Sequence, residues 1–347
     1  RALLSLCTSA PLLMAGCASS GAGTANDATA ATPGSAELRG TGDLGVVIER
    51  AQGALTLINT SSRSAIGRVT GLGDLSHASV VFARDGRYAF VFGRDGAVTR
   101  VDLLTQRITH RVQQAGNSIG GAISADGSLV VAQNYTPGGI KVFDAATLEL
   151  LADVPALMPS GQRSRVVGLA DLPQRRFIYS LFDAGAICIA DCSNPRQPRI
   201  TTLENIGKQP YDALLSPNGR TYIAGLFGED GLAMVDMWQE PLQVRRILGG
   251  YGRGEKPLPV YKMPHLRGWA VAGPHAYLPA IGRHEVLVVD THTWQEVARI
   301  PVAGQPVFVM ARPDGRQVWV NFSVPDYHRV QVIDTPSQQV AHTLEPG

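Results

Sequence analysis

Two histidines share a placement that could do chemistry. His77 in "LSHASVVFA" and His265 in "MPHLRGWAV" each stand just ahead of an apolar stretch. Each also precedes the next turn by nearly the same interval, from His77 to Asp85-Gly86 and from His265 to Pro274-His275. A neutral imidazole offers a nitrogen lone pair near physiological pH, so histidines placed this way ligate metals or move protons. Two of them on opposite sides of one axial opening suit a planar iron tetrapyrrole, with one nitrogen donor for each axial position. The plainer alternative is that each histidine satisfies a loop carbonyl.

Cationic and aromatic side chains gather in the same connections. Arg163 and Arg165 lie in "VPALMPSGQRSR", Arg253, Lys262 and Arg267 in "LGGYGRGEKPLPVYKMPHLR", and Arg94 in the turn "FGRDG". Tyr135, Tyr211, Tyr251 and Trp269 supply flat or hydrogen-bonding surfaces. As a ring, these residues suit a ligand with a hydrophobic plane and acidic edges. Only four of the 31 basic residues are lysine. Guanidinium groups grip carboxylates through two parallel hydrogen bonds, so the bias fits such a ligand, although arginine-biased codon usage is the plainer reading of it. The formal charge of +2, with no basic stripe, argues against a nucleic-acid partner.

The elements that must position these residues repeat along the chain. A strand ending in Asp or Asn recurs as "LTLIN" at Asn59, "VTRVD" at Asp102, "IKVFD" at Asp144, "ICIAD" at Asp191, "LAMVD" at Asp236, "VLVVD" at Asp290 and "VQVID" at Asp334. Before most of them come a turn and an apolar strand, as in "RDGRYAFVFG" and "PDGRQVWVNF"; after them comes one more strand. Four short strands every ~45 residues, punctuated by Asp-Gly and Asn-Gly, predict the blades of an all-β propeller. No window sustains helical periodicity, which excludes parallel α/β folds. Seven units are visible, so either seven blades close the ring or an eighth is missing from the carboxyl end.

In a blade whose strands run outward from the axis, ligands meet the start of the innermost strand, the connections between blades and the turn from second to third strand. His77 and His265 fall at innermost strands. His284 and His328 fall in second-to-third-strand turns, on the same face but far from the axis. His110, His275, His292 and His342 point away from it.

The first 17 residues end an apolar run with "LMAGC", as a bacterial lipoprotein signal does, which makes Cys17 the lipidated residue, 18–41 a tether and 42–347 the propeller. This predicts a lipid-anchored periplasmic protein. Cys188 and Cys192, in "CIADC", read as structural, since a lone CxxxC on an extended strand is too far apart for a disulfide and a weak metal signal.

The stretch "GDLGVVIERAQGALTLIN…GLGDLSHASVVFARDGRYAFVFGRDGAVTRVDLL" resembles the NirF family, required to make haem d1, the cofactor of cytochrome cd1 nitrite reductase. More distantly, the chain is similar to the haem d1 domain of that reductase, an eight-bladed propeller. The resemblance implies eight blades, with most of the last absent here, and a proximal iron ligand at His77. One distal histidine of the reductase falls on His265 in "PHLRGW"; where the other is expected, "KQPYDALL" has Tyr211 and Asp212. It implies further a haem d1 or dihydro-haem d1 precursor as cargo or substrate, with His77 and His265 as the catalytic pair. Cytochrome cd1 nitrite reductase and other maturation proteins are the implied partners.

Two other classes compete with this expectation. "GTGDLG" at 40–45 formally matches the GxGxxG of nicotinamide-dependent dehydrogenases, a motif that works only between a strand and a helix. A propeller that binds only proteins is the other alternative.

Overall fold

The computed structural model describes residues 40–251, 269–323 and 325–346. Their strands form seven antiparallel sheets in chain order, each built from consecutive strands. Blade 1 has three strands (Leu44–Glu49, Ala54–Asn59 and Ser64–Val69), and blades 2 to 7 have four each. The first strands of blades 2, 3, 4 and 5 approach one another in turn, as do those of blades 6 and 7, so they line the axis. "GTGDLG" runs through a turn into the strand Leu44–Glu49, so no helix amino end is there to receive a pyrophosphate.

Turn chemistry explains the repeat. At the turn from first to second strand, Asp85, Asp126, Asn218 and Asp314 accept the backbone N–H two residues on, at 2.9–3.1 Å. The glycine between takes φ of 69° to 74°, which costs a residue without a side chain little. At the end of every third strand the acidic or Asn side chain caps its own turn. Asp102, Asp144, Asp191, Asp236 and Asp290 each accept the N–H two residues on at 2.9–3.0 Å. Asn59 and Asp334 accept the one three residues on. Hydrogen bonds from Ser193 hold the Asp191 carboxyl down at about 2.

Hydrophobic clusters fill the six interfaces from blades 1–2 to blades 6–7. Cys188 and Cys192 are free, buried thiols in the cluster of blades 3 and 4. Burial pushes Cys192 up to about 12, so it is a packing residue and no thiolate ligand. Among the described residues no cluster joins blade 7 to blade 1. The face of blade 7 turned away from blade 6 exposes Phe308 (40%), Met310 (67%) and Trp319 (40%).

Candidate functional site at the channel mouth

His77, exposed at the head of the innermost strand of blade 2, lines a cavity of about 230 Å³ on the axis. Blades 3, 4, 5 and 7 supply the remaining wall. Those four blades share one device. Each innermost strand slips register near its mouth: around Ser118 in blade 3, between Val167 and Ala170 in blade 4, between Pro210 and Ala213 in blade 5, and between Pro306 and Val309 in blade 7. A bulge bends the strand and re-aims its side chains. The residues it re-aims, among them Gly168, Tyr211, Asp212 and Phe308, are the ones that line the cavity. Side chains cap N–H groups that the slips release: Gln133 Oε1 accepts from Leu169, Asn321 Oδ1 from Phe308 and Asp212 Oδ1 from Ala213, each at 2.9 Å.

An aromatic and cationic cluster adjoins the cavity through Tyr211. The Tyr135 hydroxyl donates to that of Tyr211 at 2.9 Å. Burial pushes the Tyr135 phenol far above its ordinary value, so it stays a protonated donor. Tyr211 meets Phe182 edge-on at 5.9 Å and Phe227 at 6.2 Å. The three described arginines of the expected ring divide by partner. Arg165 stacks on Phe182 and pairs with Asp183 at 2.5 Å, and Arg163 lies 3.6 Å from Asp153. Arg94 sits 5.9 Å over the Tyr135 ring, and its charge, after hydrogen bonds from Ser76, helps hold the Asp74 carboxyl below its ordinary value.

Cys17, Arg253, Lys262, His265 and Arg267 lie outside the described residues. Trp269, expected on the ligand face, stands elsewhere. It is 6% exposed, packed edge-on against Tyr251 at 5.9 Å in the core between blades 5 and 6. The indole is worth more as buried apolar area there than as a platform at the mouth. His110 and His342 lie on outermost strands and His284, His292 and His328 in turns, all exposed; His275 opens the second strand of blade 6. Three larger clefts, of about 340 and 420 Å³ between blades 5 and 6 and of about 310 Å³ between blades 2 and 3, include no His77 wall. Ser79, Gln133 and Phe308 escape sequence reading, because a register slip leaves no residue signature beyond the small residues of "SIGGAI".

An imidazole at the lip of an axial well, with aromatic planes and the Arg94 guanidinium beside it, makes the channel mouth of this propeller its candidate ligand site. Comparison with known proteins narrows the class. The model of the cytochrome D1 heme domain matches residues 39–347. "Protein NirF" of Stutzerimonas stutzeri is 63% identical over 312 residues, 89% of this chain and 80% of that one. "Protein NirF" of Pseudomonas aeruginosa is 60% identical over the same shares. The "Dihydro-heme d1 dehydrogenase" of P. aeruginosa is 26% identical over 88% of this chain and 60% of that one. Among solved structures, "Dihydro-heme d1 dehydrogenase NirN in complex with DHE" superposes with a TM-score of 0.76 at 24% identity, over 91% of this chain and 66% of that one, which supports the fold. The chain belongs to the NirF family, within the cytochrome D1 heme domain family.

Proposed function

We propose that this protein serves haem d1 biosynthesis by holding a late iron tetrapyrrole, haem d1 or its dihydro precursor, over the channel mouth, and that it modifies the macrocycle or delivers it for nitrite reductase maturation. The observation that carries the reading is His77 on the wall of the axial cavity. The residues fit the group. The imidazole is exposed, so a ligand reaches its nitrogen without unfolding the loop, and the wall around it is largely apolar or small. At about 230 Å³ the well takes only part of a macrocycle, since ligand pockets of this kind run to ~300–1,000 Å³. The rest lies toward the open mouth, where Arg94 takes a carboxylate edge and the Tyr135–Tyr211 pair offers a flat flank. When bound, the iron supplies one-electron chemistry and a coordination position for imidazole.

The test is an absorption titration of the protein with haem d1 and with its esterified form. A shifted Soret-region band with the acid form, and weaker binding of the ester, support the reading; no shift with either removes it and leaves a propeller that binds only proteins.

Three further proposals accompany it. The lipid anchor and periplasmic location rest on the segment ending at Cys17, and a Cys17→Ala chain is expected to leave the membrane fraction; a chain that stays there overturns the anchor. A complex with cytochrome cd1 nitrite reductase rests on the family, and co-purification with the reductase tests it. Closure by an eighth blade is supported by the exposed Met310 and Trp319 and by the three-stranded blade 1. Burying a large aromatic contributes several kcal/mol, so Trp319→Ala is expected to cost about 3 kcal/mol in a chain of its relatives' length and under about 1 kcal/mol in the present one. Equal small costs in thermal melts of both would sink the eighth blade.

A further inference from the structure

The cleft of about 420 Å³ between blades 5 and 6 lies at the other end of the strands from His77. His77 precedes an innermost strand, whereas Pro217 and Asn218, on this rim, follow the innermost strand Pro210–Leu215 and Gly273 follows Ala270–Ala272. The floor is core: Met234 and Trp294, each 4% exposed, belong to the hydrophobic cluster of the two blades. Two guanidiniums and a carboxylate stand on the wall, and the fold engages them unequally. Arg220 grips Asp236 from Nε at 3.0 Å and from Nη2 at 2.6 Å, and lies 5.4 Å over the Trp238 ring. Arg245, on the outermost strand Val244–Ile247, stands opposite Met234 in register, and its Nη2 donates to the Met234 sulfur at 3.7 Å.

A thioether is a weak acceptor and a guanidinium carries five N–H groups, so a sulfur contact satisfies Arg245 far less than a carboxylate would. An anion lying over Met234 would meet it through the two parallel bonds that guanidinium and carboxylate share. The rim adds donors. Asn218 Oδ1 accepts from the Arg220 N–H at 3.1 Å and from the Ser216 hydroxyl at 2.7 Å, so the amide nitrogen is what Asn218 has to offer a ligand. His292 also lines the rim, on a turn pinned by the Asp290 carboxyl, which accepts from the N–H groups of His292 and Thr293 at 3.0 and 2.7 Å. The apolar floor calls for an apolar body, and the volume falls within the ~300–1,000 Å³ of small-molecule pockets. Asp236 sets the charge. Hydrogen bonds from Arg220 hold its carboxyl below the ordinary value, so it stays ionised on the wall and opposes a doubly charged phosphate ester more than a singly charged carboxylate. The matching cleft between blades 2 and 3 is built differently: there Arg100 lies 3.5 Å over the Tyr88 ring and donates to Thr109 Oγ1 at 3.1 Å, so the fold's own aromatic covers the cation. We propose that the cleft between blades 5 and 6 is a second ligand site, which takes a small organic monocarboxylate with its apolar body on Met234 and Trp294 and its carboxylate on Arg245. The inference goes beyond the tetrapyrrole reading and does not rest on it, because the two sites stand at opposite ends of the blades.

The experiment is isothermal titration calorimetry of the full chain with three probes of one shape: naphthoate, its neutral amide naphthamide, and naphthyl phosphate. The native protein is expected to bind naphthoate about tenfold or more tighter than the amide, the scale of one charge-assisted hydrogen bond, and tighter than the phosphate. Arg245→Met keeps the length of the side chain and removes its charge, and is expected to erase the preference for naphthoate over the amide. Arg245 is exposed, so the same variant should melt with the native chain and bind haem d1 at the mouth with native affinity. Arg245→Lys returns the charge without the paired geometry and is expected to recover only part of the preference. Equal affinity for naphthoate and the amide, a preference that survives Arg245→Met, or no heat with any probe at millimolar concentration overturns the site. Tighter binding of the phosphate overturns the assignment to a carboxylate. None of these results bears on the tetrapyrrole reading, which stands or falls on the Soret-region titration.

Discussion

Replacing His77 by alanine is expected to abolish the Soret-region shift on titration with haem d1 or iron protoporphyrin, and to weaken binding by at least ~100-fold. Loss of an outer partner of a metal ligand typically costs 10–100-fold, so loss of the ligand itself costs more. The side chain is exposed and belongs to no core cluster, and surface changes of this kind stay within about 0.5 kcal/mol. Thermal melting of the His77→Ala protein should therefore superimpose on that of the native chain. Free imidazole at millimolar concentration should restore part of the shift by occupying the vacated position. An unchanged spectrum on titration removes His77 as an axial ligand, whatever the affinity; a lowered melting temperature would instead assign it to loop structure.

The blades were legible because their punctuation is chemical. A third strand that must end in a tight turn needs a short side chain accepting an N–H two or three residues on, and only Asp, Asn, Ser and Thr do this well. Asp or Asn therefore stands at all seven positions, and the spacing between them measures the blade. His77 was legible for a related reason: an imidazole ahead of an innermost strand has few places to go except the axis. The cavity's wall was not. Tyr211 and Asp212 acquire their direction from a slip between Pro210 and Ala213, and a bulge is one residue of extra length that no side chain announces. The arginines were equally undecided. Arg165 and Arg94 both occupy the ligand-face connections, and only the fold gives one of them Asp183 and the other an aromatic plane. Trp269 shows the same limit from the other side. "RGWAV" reads as a platform or as core, and the interface between blades 5 and 6, assembled from residues distant in sequence, decides for core. The blade count divides likewise: seven sheets follow from the repeat and stand in the fold, while no residue pattern in the chain spells out an eighth.

Gly168→Ala is expected to be the most damaging single-methyl change at the site. Gly168 sits in the bulge of blade 4 at φ 63°, a region that costs a residue with a side chain roughly 1–2 kcal/mol. Space is the second obstacle. The new Cβ would lie 2.7 Å from the Ala213 Cβ and 3.0 Å from the Tyr222 hydroxyl, and overpacking of this degree adds about 1–3 kcal/mol. That hydroxyl donates to Gly168 O at 2.8 Å and meets Ser180 Oγ at 3.0 Å, all buried, so moving it weakens two bonds worth about 1 kcal/mol each. Together these predict a loss of about 3–5 kcal/mol and a melting temperature lower by on the order of 5–10 °C. Gly219→Ala separates the causes. Its φ is 69°, with nothing within 4 Å of the added carbon, so it carries the backbone cost alone and should lose only about 1–2 kcal/mol. Function should follow the same division. Ala213 directly follows Asp212, so relief of the clash at Gly168 shifts the stretch that aims Tyr211 and Asp212 into the well, and tetrapyrrole affinity should fall in Gly168→Ala while staying native in Gly219→Ala. Equal melting losses in the two variants would show that backbone strain, and not the contact between blades 4 and 5, sets the cost, and native affinity in Gly168→Ala would show that the bulges do not hold the ligand.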